Sequence, residues 1–285
     1  MREYGVGRAP GAAGELVQGQ FQDGRDFLIS LPVDMWSEVH ITLDDSSPDF
    51  RLVQPDKQKT AQAVRAFLDM RGMEHVGGEI YINSDIPVGK GMASSTADIT
   101  AACRAAGNAL GMNVPPKTIA DIARNIEPSD GIMYPSLVCF DHLHGEMIEP
   151  LGDVPIMDVL IIDLGGTVDT LTFNQLTKKY SSDELMRIQQ AYEMLKMGMQ
   201  QQDMLLIGQA GVISAEVNQR LLFKSTLEEL IAFADEKGAL GICVAHSGTV
   251  ISYLFEPDSE QIHTAKGKFR CLGYNTEIIS TTSVV

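Results

Sequence analysis

The 285 residues carry 38 acidic and 22 basic side chains, a formal net charge of −16. That balance argues against nucleic acid and anionic membrane surfaces as partners, because both are held through basic patches. It leaves open an anion bound locally by backbone N–H groups, a few cations and Mg²⁺. Hydrophobic residues make up 44%, enough for a substantial core in one large domain or two closely packed halves. No stretch approaches the ~18 uninterrupted apolar residues of a membrane-spanning helix. Residues 1–4 lead directly into a glycine-rich motif without the apolar core of a secretory signal, so the expected setting is the cytoplasm. Cys103, Cys139, Cys243 and Cys271 are widely spaced with no C-x-x-C pair. They suggest neither a zinc site nor a disulfide framework, and the first three are expected as core fillers.

In chain order, 28–31 and 36–43 read as strands, the second alternating through Val39, Ile41 and Leu43. A turn follows at 44–48. Residues 57–70 carry Ala61, Val64 and Leu68 at helical spacing. A strand at 78–83, a glycine–serine loop and an alanine-rich helix at 94–110 come next. Gly111, Pro115 and Pro116 end that helix. A short helix runs from 116 to 126 and meets the turn Glu127-Pro128-Ser129-Asp130-Gly131. The composition changes near 150–153, which suggests an N-terminal half of 1–150 and a C-terminal half of 151–285. In the latter, 156–163 is an apolar strand expected at the centre of a sheet. A long helical region spans 182 to about 209, its methionines expected as core or adaptable surface. A helix at 227–237, strands at 240–244 and 250–255, a helix at 259–271 and a last strand at 274–279 complete the chain. Helices on one face of a mostly antiparallel sheet make an α+β architecture.

The run Asp85-Ile86-Pro87-Val88-Gly89-Lys90-Gly91-Met92-Ala93-Ser94-Ser95-Thr96-Ala97-Asp98 is the most informative segment. Glycines between a strand and a helix let the backbone approach an anion, and the helix start offers unpaired N–H groups and a positive dipole end. Ser94 and Ser95 add hydroxyls and Lys90 adds charge; Thr96 is expected to pack or cap. The spacing is neither that of a Walker A loop nor G-x-G-x-x-G.

The pattern P-x-G-x-G-x-x-S-S-x-A resembles the ATP-binding motif of the GHMP kinases. Ala9-Pro10-Gly11-Ala12-Ala13-Gly14-Glu15-Leu16-Val17-Gln18-Gly19 resembles that family's N-terminal motif. Gly238-Ala239-Leu240-Gly241-Ile242-Cys243-Val244-Ala245-His246-Ser247-Gly248-Thr249-Val250 resembles its C-terminal glycine motif. The resemblance implies a two-lobed fold, with an N-terminal lobe like domain 2 of ribosomal protein S5 and a ferredoxin-like C-terminal lobe. ATP and Mg²⁺ are the implied cofactors, a small amino acid or alcohol the implied substrate, and a homodimer an implied possibility. The variants G-E-L-V-Q-G and A-H-S-G-T-V are most similar to the branch that phosphorylates the side-chain hydroxyl of L-threonine for cobalamin synthesis. Homoserine is the nearest alternative acceptor, and a non-catalytic metabolite sensor on the same fold is an alternative of another class.

By the same resemblance, residues 87–95 (Pro87, Val88, Gly89, Lys90, Gly91, Met92, Ala93, Ser94, Ser95) hold the nucleotide phosphates. Ser95 and Glu127 hold the metal, and Asp130 acts on the substrate hydroxyl, with Glu127 and Lys90 completing the catalytic set. Many relatives place about ten residues between those two acids, whereas here only Pro128 and Ser129 intervene. Glu15, His246, Ser247 and Gly248 are the expected substrate contacts, Glu15 facing an amino-acid ammonium or hydroxyl. Gly11 and Gly14 are expected to bring their loop close to the phosphates. His142 and His144 have strand spacing but lack an evident third metal ligand.

Overall fold

The computed structural model describes residues 2–166, 179–221, 223–224 and 226–283. Its strands are β1 (Arg2–Gln20), β2 (Asp26–Asp44), β3 (Phe50–Leu52), β4 (Gly77–Ser84), β5 (Leu137–Asp141), β6 (Glu146–Gly152), β7 (Asp158–Asp163), β8 (Gly241–Val244), β9 (Val250–Phe255) and β10 (Asn275–Ser280). They join in one sheet of order β10-β7-β9-β8-β1-β2-β4-β3, with β5 attached to β2 and β6 to β5. Every pairing is antiparallel except β3 with β4.

The 19-residue strands β1 and β2 form the spine. Residues 9–19, expected as a loop, lie inside β1. The ladder absorbs their glycines and proline through register shifts at Pro10/Gly11, Ala12/Glu15 and Glu15/Val17, since bulges are where such residues fit a strand. Segments 28–31 and 36–43 are likewise one strand; Pro32 sits opposite Ala12 beside those irregularities.

The helices are α1 (Gln58–Asp69), α2 (Ser94–Ala109), α3 (Pro116–Ile126), α4 (Ser182–Gln201), α5 (Met204–Asn218), α6 (Leu227–Glu236) and α7 (Glu260–Cys271). The alanines of α2 let it bury almost completely against β1, β2 and α1. The expected single helix from 182 to about 209 is two. Gln202 adopts a left-handed φ of +54°, and the Asp203 carboxylate then accepts from the Leu205 and Leu206 N–H groups, capping a new start. A capping box of Ser181 with Glu184 opens α4. Among the expected methionines, Met199 is buried while Met186 and Met197 are exposed. No helix among the described residues is long and apolar enough to cross a membrane.

The strand β7 is one place from the sheet edge, not central. Between its terminal aspartates it is apolar because both its faces are covered. Val159 and Ile161 enter the main core, while Leu160 and Ile162 enter a second one beneath α6 and α7. In that second core Phe269 meets Phe233 at 4.9 Å and Tyr253 at 5.4 Å, both edge-on. Phe269→Ala is therefore expected to cost roughly 3–5 kcal/mol, read as a clear fall in Tm. Leu272→Ala, at a residue 63% exposed, should leave Tm nearly unchanged.

Candidate active site

The three motifs meet in space. Between β4 and α2 the chain turns through Gly89, Gly91 and Ala93, with φ of +74°, +80° and +59°. Ala93 in this left-handed region carries a steric cost that a glycine would avoid. The Ala12 N–H donates to the Met92 carbonyl at 3.0 Å, tying the loop to β1. On the other side the Thr249 N–H donates to the Lys90 carbonyl, also at 3.0 Å. A Cβ on Gly91 would stand 2.8 Å from Gly248 Cα, and one on Gly248 only 2.1 Å from the Lys90 oxygen. Both glycines are thus needed for backbone to pass backbone.

A chamber of about 280 Å³ opens at the start of α2. No side chain caps that helix, so its first-turn N–H groups are not claimed by a neighbouring side chain. Residues 87–95 line the chamber, Lys90 excepted, together with Glu15, Lys59, Glu127, Asp130 and Ser247. Ser95 Oγ donates to Glu127 Oε1, and Lys59 Nζ donates to Glu127 Oε2 at 2.5 Å. Ser30 Oγ donates to Asp130 Oδ1 at 2.6 Å, and Thr96 Oγ1 to Oδ2 at 3.3 Å. Thr96, expected to pack or cap, instead grips the candidate base.

Burial pushes the Asp130 carboxyl above the usual carboxylate range, against the two hydroxyl bonds that favour its anion; the charge of Glu127 pushes the same way as burial. Glu15 is pushed up to about 8, by burial first and then by the charge of Asp130, against the His246 N–H bond and the charge of Lys224. The His246 N–H donates to Glu15 Oε2 at 2.8 Å. Lys224, whose ammonium donates to the Ala245 carbonyl at 3.0 Å, is pushed down to about 8 by burial, against Glu15.

Most of the residues expected from the sequence are therefore brought together, with clear exceptions. The Lys90 ammonium does not reach the chamber; it pairs with Asp163 at 2.7 Å on the far side of the loop. His246 and Gly248 stand behind the wall that Ser247 completes: His246 meets Glu15 through its backbone and Ser214 through its ring, and Gly248 meets the loop. Gly11 and Gly14 do not line the chamber; Gly14, with φ of +109°, faces the Ala245 backbone. His142 lines the chamber, whereas His144 is largely exposed and pairs with Asp141. Among the described residues no three His, Cys, Asp or Glu side chains cluster as a metal group. Cys103, Cys139 and Cys243 are buried and held as thiols by that burial. Sequence reasoning missed Lys59 and Ser30. Lys59 is the second residue of an ordinary amphipathic helix and Ser30 lies inside a strand, and neither carries a local motif.

Residues 58–138 match the GHMP kinases N terminal domain. Over 266 residues the chain is 31% identical to the L-threonine kinase of Salmonella typhimurium (strain LT2), covering 92% of this chain and 87% of that protein. The chain belongs to the GHMP kinase family. A second relative, the L-threonine kinase of Citrobacter freundii, is 29% identical over 264 residues, 92% of this chain and 90% of that one. Homoserine kinase from Cytophaga hutchinsonii superposes with a TM-score of 0.77 over 99% of this chain and 95% of its own, at 18% identity. The fold of this GHMP kinase is accordingly the two-lobed one of the family.

The donor set fits the triphosphate of ATP. A glycine turn, an uncapped helix N-terminus, hydroxyls and the Lys59 ammonium all face one cavity. The raised Glu15 pKa has a consequence for stability in this GHMP kinase. In the folded state the carboxyl keeps its proton up to about 8, whereas unfolded it loses it near the ordinary value of 4.5. Its contribution is fully present below 4.5 and is lost as pH rises toward 8. Glu15→Gln, which mimics the protonated form, should match the parent Tm near pH 5 and gain on it steadily toward pH 8. A Tm difference flat across that range would show that Glu15 is ionised throughout.

Proposed function

We propose that the chain transfers the terminal phosphoryl group of ATP to the side-chain hydroxyl of L-threonine, giving O-phospho-L-threonine. The observation that carries this is the meeting of the phosphate cradle with Glu15 and Asp130 in one chamber. Its support from likeness is that both full-length relatives bear the name L-threonine kinase. Phosphoryl transfer asks for positioning, charge neutralisation and a group on the attacking hydroxyl. The N–H groups of the loop and of the α2 start hold the phosphates. Ser95 and Glu127 present two hard oxygens beside that cradle, which suits Mg²⁺, an ion that retains waters and takes few protein ligands. When bound, Mg²⁺ neutralises charge on the phosphate oxygens. Lys59, now paired with Glu127, is placed to add its own charge there.

Asp130, held by Ser30 and Thr96, orients the acceptor hydroxyl and takes its proton as the new O–P bond forms and ADP leaves. A carboxylate raised above its ordinary pKa is the stronger base, provided it remains ionised at the working pH. Glu15, at the chamber wall by Ser247, faces the amino acid's ammonium, whose charge favours the carboxylate over the protonated form that burial favours without it. The same reading places the activity in the cytoplasm, feeding cobalamin synthesis, and divides the chain at 1–150 and 151–285. That division is supported by a second core drawn wholly from the later half.

ADP release with ATP and Mg²⁺ against L-threonine, L-serine, L-homoserine, mevalonate and galactose tests the reading. Turnover confined to threonine supports it, another preferred alcohol moves the substrate, and stabilisation by ATP without turnover replaces the enzyme with a sensor. Asp130→Asn should lower kcat on the order of 10²- to 10⁴-fold with Tm little changed. Glu127→Gln should raise the Mg²⁺ concentration for half-maximal rate by about tenfold or more; an unaltered titration would remove Glu127 from the metal.

A further inference from the structure

We propose that Lys90 and Asp163 form an anchor that fixes the stance of the phosphate loop, Lys90 being a positioning residue that does not contact the nucleotide; this rests on the kinase reading above. The Lys90 ammonium lies 2.7 Å from Asp163 Oδ2 and donates to the Gly166 carbonyl at 2.7 Å. Both side chains of the pair are 19% exposed. Asp163, the last residue of β7, is itself held: its Oδ1 accepts from Thr249 Oγ1 at 2.8 Å and from the Gly165 N–H at 2.9 Å. Thr249 closes the ring, because its N–H donates to the Lys90 carbonyl at 3.0 Å and its carbonyl accepts from the Leu164 N–H at 3.1 Å.

Lys90 is thus gripped at both ends, by backbone and by side chain, from the β7–β9 side of the sheet. It faces a separate cavity of about 240 Å³ shared with Asp163, Thr276 and Glu277, behind the loop. To reach the chamber its ammonium would give up two charge-assisted bonds and leave the Asp163 carboxylate short of its cation, a costly exchange for a partly buried pair. Anchoring serves the cradle instead. A loop with two glycines has many conformations to lose on binding an anion, and a pair that removes them beforehand tightens binding without touching the ligand.

The test is a double-mutant cycle on the full chain with Lys90→Met, Asp163→Asn and both together, plus Lys90→Arg. ATP affinity is measured by calorimetry without acceptor, alongside KM for ATP, kcat and Tm. Each single change is expected to weaken ATP binding and raise its KM by ~5- to 20-fold. The expected kcat change is smaller, the double variant no worse than either single, and Lys90→Arg close to the parent. Lys90→Met far more damaging than Asp163→Asn, with effects that multiply in the double, would make Lys90 a phosphate ligand and overturn the anchor. Unchanged affinity in both singles would overturn it too, as would losses explained by a matching fall in Tm. A parent chain that binds no ATP would remove the kinase reading and the anchor with it, an outcome visible before any variant is made.

Discussion

The phosphate loop lies directly on the backbone of the 245–249 turn, with Gly91 and Gly248 facing each other where neither has room for a Cβ. Everything in the chamber is referred to that contact. It brings the C-terminal motif against the loop, while the Ala12–Met92 bond brings β1 against it from the other side. The irregular ladder of β1 then aims Glu15 at the chamber, and the His246 N–H meets its carboxylate. A side chain at either glycine would push the loop off both supports. Three segments distant in sequence therefore act as one surface because their backbones touch, a constraint stronger than any single hydrogen bond in the site.

A protein with a net charge of −16 that gathers Glu15, Glu127 and Asp130 into one cavity must manage repulsion before it can hold a polyanion. Two bare carboxylates ~4 Å apart repel by about 4 kcal/mol at an effective dielectric of 20, several times the ~1 kcal/mol net worth of a hydrogen bond. The structure manages this locally. Lys59 covers Glu127, burial favours the protonated form of Glu15, and two hydroxyls stabilise what charge Asp130 carries. What is left for the nucleotide is backbone N–H and the Lys59 ammonium, which is how an acidic protein binds an anion without a basic surface.

The helices and most strands were legible because their signals are local: helical spacing in 57–70, alternation in 78–83, and prolines at 115 and 116. The loop and its uncapped helix were legible for the same reason. What escaped was set by tertiary pairing. Residues 9–19 look like a loop because glycine and proline disfavour strands, and only pairing with β2 through bulges makes them one. The charge on Lys90 pointed to phosphate, yet its partner stands 73 residues later on β7. Lys59 and Ser30 touch the acids from α1 and β2, and nothing in their own neighbourhoods marks them.

The short Glu127–Asp130 spacing shows how geometry resolves what spacing leaves open. With only Pro128 and Ser129 between them, Glu127 and Asp130 have little chain along which to separate. Here the separation is made by the opposite wall. Ser95 and Thr96 are consecutive residues in the first turn of α2, so their side chains leave the helix about 100° apart. Ser95 takes Glu127 and Thr96 takes Asp130. Glu127 is extended, with φ of −164° and ψ of 161°, and the turn that follows swings Asp130 toward Ser30 on β2. Each acid thus has its own hydroxyl on α2 and its own second partner, Lys59 for one and Ser30 for the other. Lys59 stands beside Glu127 as its cation, while burial raises the Asp130 carboxyl above its usual range against its two hydroxyl bonds. Two acids three residues apart keep separate partners because the helix facing them, rather than the loop carrying them, divides them.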